Sequence, residues 1–397
     1  MLPLIGGLVV LLLFGSIFVT ANPVVALMWQ RLRDFLALAE LLDKLYDLLV
    51  PDFLRVVLWI FVAIVTAGLL RPARVLGTLL TNEEQVVRGF VPGAEVLGRT
   101  ALVVLATACL LFAGYILVDG NYLVLQAKLP PGIGDSDYAR GGTFWLTFAL
   151  VLSTLFIGTA TAEAMLSTRW YGPVKRLAQV WVGLDLLMGL CVLGRVRFYI
   201  VLSGMTPLRI AGIVGTLMVM AGVATLGSKI SRRCNLVWLV RRYAVIFIVG
   251  LAVFALLPRD SISSAYNVWR VQAGDYRPLM LLFRAPTPVE SLTEYVALLD
   301  HRDPLVAEGM AAYLCERHEA LRPQYENAQR ADWREYQMAF DRALRITTAA
   351  ADADRLQYDE DALTEMAKAC NGYDAATDGP NAAWRTGQSS DLEWIDD

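Results

Sequence analysis

Long apolar runs dominate the first two thirds of this sequence and limit what the chain can fold into. A bilayer core is about 30 Å thick, so a helix needs about 20 apolar residues to cross it. Such runs occur near 2–20, 54–70, 97–117, 143–162, 177–197, 208–227 and 240–257. They lack the alternation of membrane β-strands. We therefore expect an all-α fold: a polytopic bundle of about seven transmembrane helices, followed by a soluble helical C-terminal domain.

Composition supports this division of the chain into a membrane part and an acidic part. Of the 397 residues, 56% are hydrophobic and only 18% are charged, which is typical of a polytopic membrane protein. Residues 1–258 hold 21 Lys and Arg against 13 Asp and Glu, whereas 259–397 hold 14 against 25. The predicted regions are N-terminal anchor spans with an amphipathic connection (1–95), a membrane core bundle (96–258), an acidic helical domain (259–370) and a flexible acidic tail (371–397).

The first span has two interpretations. It ends in Val19-Thr20-Ala21, which resembles a signal-peptide cleavage site, but no basic residue precedes the apolar run. An uncleaved anchor is the favoured interpretation, and a signal peptide is the alternative.

Orientation follows from the Lys and Arg residues in the connections between spans, because cytoplasmic loops are enriched in them. With the N-terminus inside, the cytoplasmic connections hold twelve and the opposite ones nine. The segment 228–242, SKISRRCNLVWLVRR, is the densest basic stretch. We therefore expect a multi-pass membrane protein with an extracytoplasmic C-terminal domain.

The stretch GRVRFYIVLSGMTPLR, residues 194–209, places three arginines between two apolar runs, on the side where positive charge is scarce. Arg195, Tyr199 and Ser203 share one helix face. Gly204 and Pro207 break the chain into a turn, and Thr206 can cap the next helix. Two interpretations remain open: the arginines extend to lipid phosphates and seal a hairpin, or they form a basic pocket for a lipid headgroup or a carboxylate. The acids on the same predicted side include Asp119, Asp135 and Asp137.

Three motifs in this region resemble those of a bacterial membrane family, domain of unknown function 4173, which has relatives under 4153. Arg195, Tyr199, Gly204, Thr206 and Arg209 are similar to its R-x-x-x-Y-x-x-x-x-G-x-T-x-x-R signature. Its Y-A-R-x-G and Y-N-x-x-R motifs are matched by two further sets: Tyr138, Ala139, Arg140 and Gly142, and Tyr266, Asn267 and Arg270. The resemblance covers about 97–280 and implies a membrane architecture without an assigned activity. The candidate binding residues it adds are Arg140, Asn267 and Arg270.

Asp185 is the only acid deep inside a predicted span, where an ionisable residue is expensive. It could be protonated, hydrogen-bonded to a neighbouring helix, or a counter-ion to an arginine such as Arg209; structural bonding is favoured over proton transport. No catalytic residues are assigned. His301 and His318 are the only histidines, and no P-loop, GxGxxG or GxSxG motif occurs. We expect no cofactor, no metal site and no nucleic-acid partner.

Helical periodicity continues into the acidic C-terminal region. Val306, Met310, Tyr313, Leu314 and Leu321 share one face, and Trp333, Tyr336, Phe340 and Leu344 repeat the pattern. Pro304 and Pro323 are predicted to separate these helices, as in a short helix-hairpin array that binds a protein partner. Cys315 and Cys370 could form a disulfide in an oxidising compartment.

These patterns favour a non-enzymatic function, an envelope interaction or signalling module with membrane lipids and a protein as partners. A transporter or permease is the first alternative, and an enzyme acting on a lipid or lipid-linked substrate is the second.

Overall fold

The computed structural model describes residues 2–35, 94–123, 135–160, 169–232, 236–282, 288–330 and 338–371, and every regular element within these ranges is helical. The chain forms two compact units, Met1–Val196 with Ile213–Ala255, and Arg197–Gly212 with Leu256–Asp397. Apolar helices run through the first unit: α1 (Leu2–Ala21), α2 (Pro23–Phe35), α3 (Ala94–Leu123), α4 (Asp135–Ala160), α5 (Tyr171–Ser203), α6 (Pro207–Arg232) and α7 (Leu236–Leu256). The end of α5 and the start of α6 belong to the second unit.

Among the described residues, five helices are long and apolar enough to cross a membrane. They are Pro3–Ala21, Gly98–Leu123, Tyr171–Ser203, Pro207–Arg232 and Val237–Leu256. The predicted span at 143–162 corresponds to a shorter apolar stretch, Gly142–Gly158 in α4. The predicted span at 54–70 lies outside the described residues. The chain therefore has the helices of a multi-pass membrane protein.

Helix α1 lies at the centre of the first unit's core, where it packs against α3 and α4. The buried Phe14 ring makes edge-on contacts with Phe112 and Trp181, at centroid distances of 5.1 and 5.9 Å. Helix α1 therefore supplies side chains to the core of the first unit.

Shorter helices form the second unit around a core of their own. The core contains Val268, Leu292, Tyr295 and Met366, together with the predicted apolar face of Val306, Met310, Tyr313, Leu314 and Leu321. Phe340 and Leu344 pack against it, whereas Trp333 and Tyr336 lie outside the described residues. The helices are α8 (Arg259–Gln272), α9 (Leu279–Leu282), α10 (Val289–Tyr295), a 3-10 turn (Val296–Leu298), α11 (Pro304–Arg330), α12 (Met338–Asp352) and α13 (Glu360–Asn371).

The prediction that Pro323 separates two helices is wrong. Helix α11 begins at Pro304, as predicted, but continues through Pro323 to Arg330. A proline removes the bond to the carbonyl four residues earlier. Here Pro323 and Glu319 are both exposed, so water can solvate that carbonyl and the helix continues. Cys315 is a free thiol, and the Cys370 side chain lies outside the described residues.

Candidate functional site

Arg195 is completely buried in the first unit, and all five of its N–H donors are used. Nε donates to Oδ2 of the Asp119 carboxylate at 3.2 Å, and Nη2 donates to its Oδ1. Nη2 also donates to the Tyr115 hydroxyl at 3.1 Å. Nη1 donates to two backbone carbonyls, at 3.2 Å to Ala21 and 3.0 Å to Tyr138. Because no donor remains, this guanidinium cannot bind an external anion without losing one of these partners.

Asp119 is the acid that compensates this charge, and it is equally buried. Its Oδ1 also accepts hydrogen bonds from the Tyr138 hydroxyl at 2.7 Å and from the Asn22 amide at 3.1 Å. Asn22 in turn accepts the backbone N–H of Val24 at 2.9 Å and so caps α2. We call Arg195, Asp119, Asn22, Tyr115 and Tyr138 the Arg195 clasp. It joins the end of α1 to α3, α4 and α5.

The Y-A-R-x-G motif is built around the same arginine. The Tyr138 ring lies 4.3 Å from the Arg195 Cζ, within cation–π range. A Cβ on Gly142 would lie 2.7 Å from the Ala21 carbonyl oxygen and would collide with Arg195 Nη1. Glycine is therefore required for the guanidinium to reach the end of α1. The Arg140 side chain lies outside the described residues.

The turn between α5 and α6 belongs to the second unit and carries the rest of the signature. Gly204 ends α5 with φ of +86°, a left-handed conformation that favours glycine. Thr206 caps α6, because its hydroxyl accepts the backbone N–H of Arg209 at 3.4 Å. Arg209 donates to the Gly204 carbonyl and lies 3.9 Å from the centroid of the Tyr199 ring. Arg197, two residues from Arg195 on α5, is exposed.

The Y-N-x-x-R motif on α8 binds this turn. The Asn267 side chain makes a two-point contact with the backbone of Met205, accepting its N–H at 2.7 Å and donating to its carbonyl at 2.8 Å. Arg270 donates to the carbonyls of Ile200 and Val201 at 2.7 and 2.8 Å. Both carbonyls lie in the last turn of α5, where helix carbonyls run out of partners within the helix. The Ile200 carbonyl also accepts the backbone N–H of Gly204 at 2.8 Å. We call Gly204, Met205, Asn267 and Arg270 the hairpin joint.

Gly204 is also required by the packing of the joint. A Cβ there would lie 2.8 Å from Pro278 and 2.9 Å from the Asn267 Oδ1. The same residue therefore ends the helix and lets α8 approach its backbone.

An acid holds Arg270 in place. Asp275 accepts hydrogen bonds from Arg270 and from Arg277, with 3.0 Å to the Arg270 Nε and 2.8 Å to the Arg277 Nε. Burial alone would raise the pKa of the Asp275 carboxyl, but the two arginines outweigh it and hold the pKa below its ordinary value. The ionised carboxylate therefore stabilises the fold above about pH 4, and this contribution is lost as the pH falls through the folded-state pKa.

Asp185 is also fully buried, and its partner is a neighbouring helix. The Ser153 hydroxyl on α4 donates to Oδ2 of Asp185 on α5. The other oxygen, Oδ1, has no hydrogen-bond partner within the part of the chain that the structure describes. The binding residues predicted from the sequence thus fall into three groups: Arg195 in the clasp, Asp185 beside Ser153, and Tyr199, Thr206, Arg209, Asn267 and Arg270 at the turn.

Three participants were not singled out from the sequence at all. Tyr115 and Asn22 contribute to the clasp, and Asp275 orients Arg270. The only local signal was Asn22-Pro23, since asparagine before proline is a common helix start. Nothing in the sequence pattern connects Asn22 to residues about a hundred positions away.

These features define a class: an all-helical, multi-pass membrane protein whose motif residues join its own helices. The chain belongs to the family described as domain of unknown function (DUF4153), whose model matches residues 1–282. The matching family is thus 4153, the relative of domain of unknown function 4173, whose motifs the sequence resembles. The matched range contains all three motifs and ends at α9. No curated protein and no solved structure matches the chain.

Replacing Gly142 with alanine should destabilise the clasp. The added Cβ meets the Ala21 carbonyl and Arg195, so we expect a loss of about 1–3 kcal/mol in the free energy of unfolding. Thermal unfolding in detergent, followed by circular dichroism, measures it. Gly183→Ala is the matched control, because a Cβ there meets nothing within 4 Å. Equal stabilities for the two variants would contradict the proposed crowding.

Asp119→Asn should be among the most destabilising single changes, because it leaves the buried Arg195 without a counter-charge. The expected cost is about 3–5 kcal/mol. Asp300→Asn, which breaks the exposed 2.7 Å pair with Arg355, should cost less than about 1 kcal/mol. Combining Asp119→Asn with Arg195→Met should recover part of the loss in a double-mutant cycle. Strictly additive effects would mean that the two side chains act independently.

Proposed function

We propose that this protein is an interaction or signalling module anchored in the bacterial inner membrane, with a C-terminal helical domain that binds a protein partner outside the cytoplasm. The observation that carries the proposal is the use of the signature residues. All five N–H donors of Arg195 bind acceptors of the same chain, and Asn267 and Arg270 bind the backbone of a turn. These motif residues thus attach helices of the chain to one another.

The hairpin joint supports a signalling function in particular. It connects the turn between two candidate spans to α8 through hydrogen bonds that are short and largely buried. The turn residues Arg197–Gly212 form one compact unit with the C-terminal helices. A partner that displaced α8 would therefore also act on the ends of two membrane helices. Such a direct attachment suits a domain that passes a binding event to the membrane.

Lipid is the second proposed partner. Arg195 has no donor left for a headgroup. Arg197, which is exposed near the end of α5, is the residue that would contact lipid phosphate. The exposed apolar side chains of the candidate spans, such as Leu117 and Phe247, provide the surface for acyl chains.

The proposed orientation has a direct test. A reporter that is active only outside the cytoplasm, fused after Asp397, should be active, whereas the same reporter inserted in the 229–242 connection should be silent. The reason is the excess of basic residues in the predicted cytoplasmic connections. A reporter that functions only in the cytoplasm should give the opposite pattern. A cytoplasmic C-terminus would reject the extracytoplasmic domain.

Transport is the second candidate function, and one observation favours it. The Asp185 carboxylate is buried among candidate spans, with one oxygen lacking a hydrogen-bond partner among the described residues. A buried acid of this kind can bind a proton or a cation. Transport mechanisms usually need further polar groups at other depths, and the polar side chains recorded beside Asp185 in the described part of the chain include Ser153 and Trp181.

Site-specific photo-crosslinking distinguishes the two functions. A photoreactive residue at Met338, which is 77% exposed on α12, should give a discrete protein adduct in living cells. At Phe247, which is 61% exposed on a candidate span, it should give lipid adducts only. Asn267→Ala should leave the adduct at Met338 but weaken any cellular response, because it removes two hydrogen bonds of the joint. The absence of an adduct, together with a solute flux abolished by Asp185→Asn, would instead establish transport.

A further inference from the structure

Helix α8 has two faces of different character. One face is buried and holds Asn267, Val268 and Arg270. The other carries Ile262, Tyr266 and Trp269, at spacings of four and three residues, so they lie on one side of the helix. Trp269 is 62% exposed and Ile262 38%, and the rings of Tyr266 and Trp269 are 6.0 Å apart. We call these three residues the outer face of α8.

Both halves of α8 are attached to the ends of candidate membrane spans. Its first residue, Arg259, follows the end of α7 at Leu256 after two residues. Its second half is bound by Asn267 and Arg270 to the turn after α5, at Met205, Ile200 and Val201. A helix of 14 residues is about 21 Å long. Both halves are therefore held at span ends, and the ends of membrane spans lie at the depth of the lipid headgroups.

The chemistry of the outer face matches that depth. Tryptophan and tyrosine are enriched at membrane–water interfaces, where an apolar ring with a polar group is favoured. Interfacial helices bury an apolar face about 5–10 Å into the headgroup and acyl boundary. Two exposed apolar side chains of the same unit, Leu256 at 83% and Leu208 at 81%, also lie at the ends of the spans.

We propose that the outer face of α8 rests on the lipid bilayer, with Tyr266 and Trp269 among the headgroups and Ile262 at the acyl boundary. Lipid then covers Trp269, the largest exposed side chain of α8. The outer face of α8 holds the C-terminal unit at the membrane, in addition to the hairpin joint. This inference does not depend on whether the protein signals or transports.

Tryptophan fluorescence of the full chain tests it in phosphatidylcholine vesicles, with and without phosphatidylcholine brominated near the head of its acyl chains. The difference between the emission of the wild type and of Trp269→Phe isolates Trp269. We expect brominated lipid to quench this difference and water-soluble acrylamide to affect it weakly. In the control variant Met338→Trp, the added emission should respond in the opposite way, because position 338 is exposed on α12.

A second variant tests the same face independently, in case Trp269→Phe does not fold. Ile262→Trp adds a fluorophore to the same face, and its emission over the wild type should also be quenched by brominated lipid. If either position is quenched by acrylamide as strongly as in Met338→Trp, and is unaffected by brominated lipid, the outer face points into water and the proposal is wrong. Quenching by neither agent would mean that protein covers the face, which also rejects it.

Discussion

The ion pair between Arg195 and Asp119 is the constraint on which the first unit depends. Both side chains are fully buried, and an unpaired charge in such a place would cost several kcal/mol. The cost is offset only because every donor of the guanidinium finds an acceptor, and those acceptors come from three other parts of the chain: the end of α1, the end of α3 and the start of α4. Satisfying one arginine therefore determines where several helix ends meet. Gly142 is small for the same reason, since a side chain there would occupy the path of the guanidinium.

The second unit meets a different requirement, that of binding the carbonyls in the last turn of a long apolar helix. Helix α5 ends at Ser203, and Arg270 from α8 binds two of its last carbonyls. Asp275, which also accepts a hydrogen bond from Arg277, orients that guanidinium, while Asn267 pairs with the backbone of Met205. Asn267 and Arg270 bind backbone groups on the N-terminal and C-terminal sides of Gly204. The left-handed conformation of Gly204 determines where these groups lie. These hydrogen bonds therefore hold the end of α5, the turn and α8 together.

These contacts bring together motif residues that are far apart in the chain. The matched range, residues 1–282, contains the clasp, the joint and all of α8, and the helices from Val289 onward lie outside it. The proposed interaction function rests on this arrangement, in which the hairpin joint is followed by further helices. The outer face of α8 adds lipid as a third point of attachment for that domain.

The sequence by itself determined the helical class, most of the candidate spans, the turn at Gly204 and the cap at Thr206, because helix length, apolar periodicity and capping depend on residues close together in the chain. It also showed that Arg195 needs compensation, since hydrocarbon does not tolerate a lone charge. Only the tertiary structure decided that Asp119 supplies it, together with Asn22 and Tyr115, because sequence spacing does not reveal which helix ends meet. The same limit applies to Pro323: proline usually ends a helix, but whether the freed carbonyl can reach water depends on which side of α11 the fold leaves exposed.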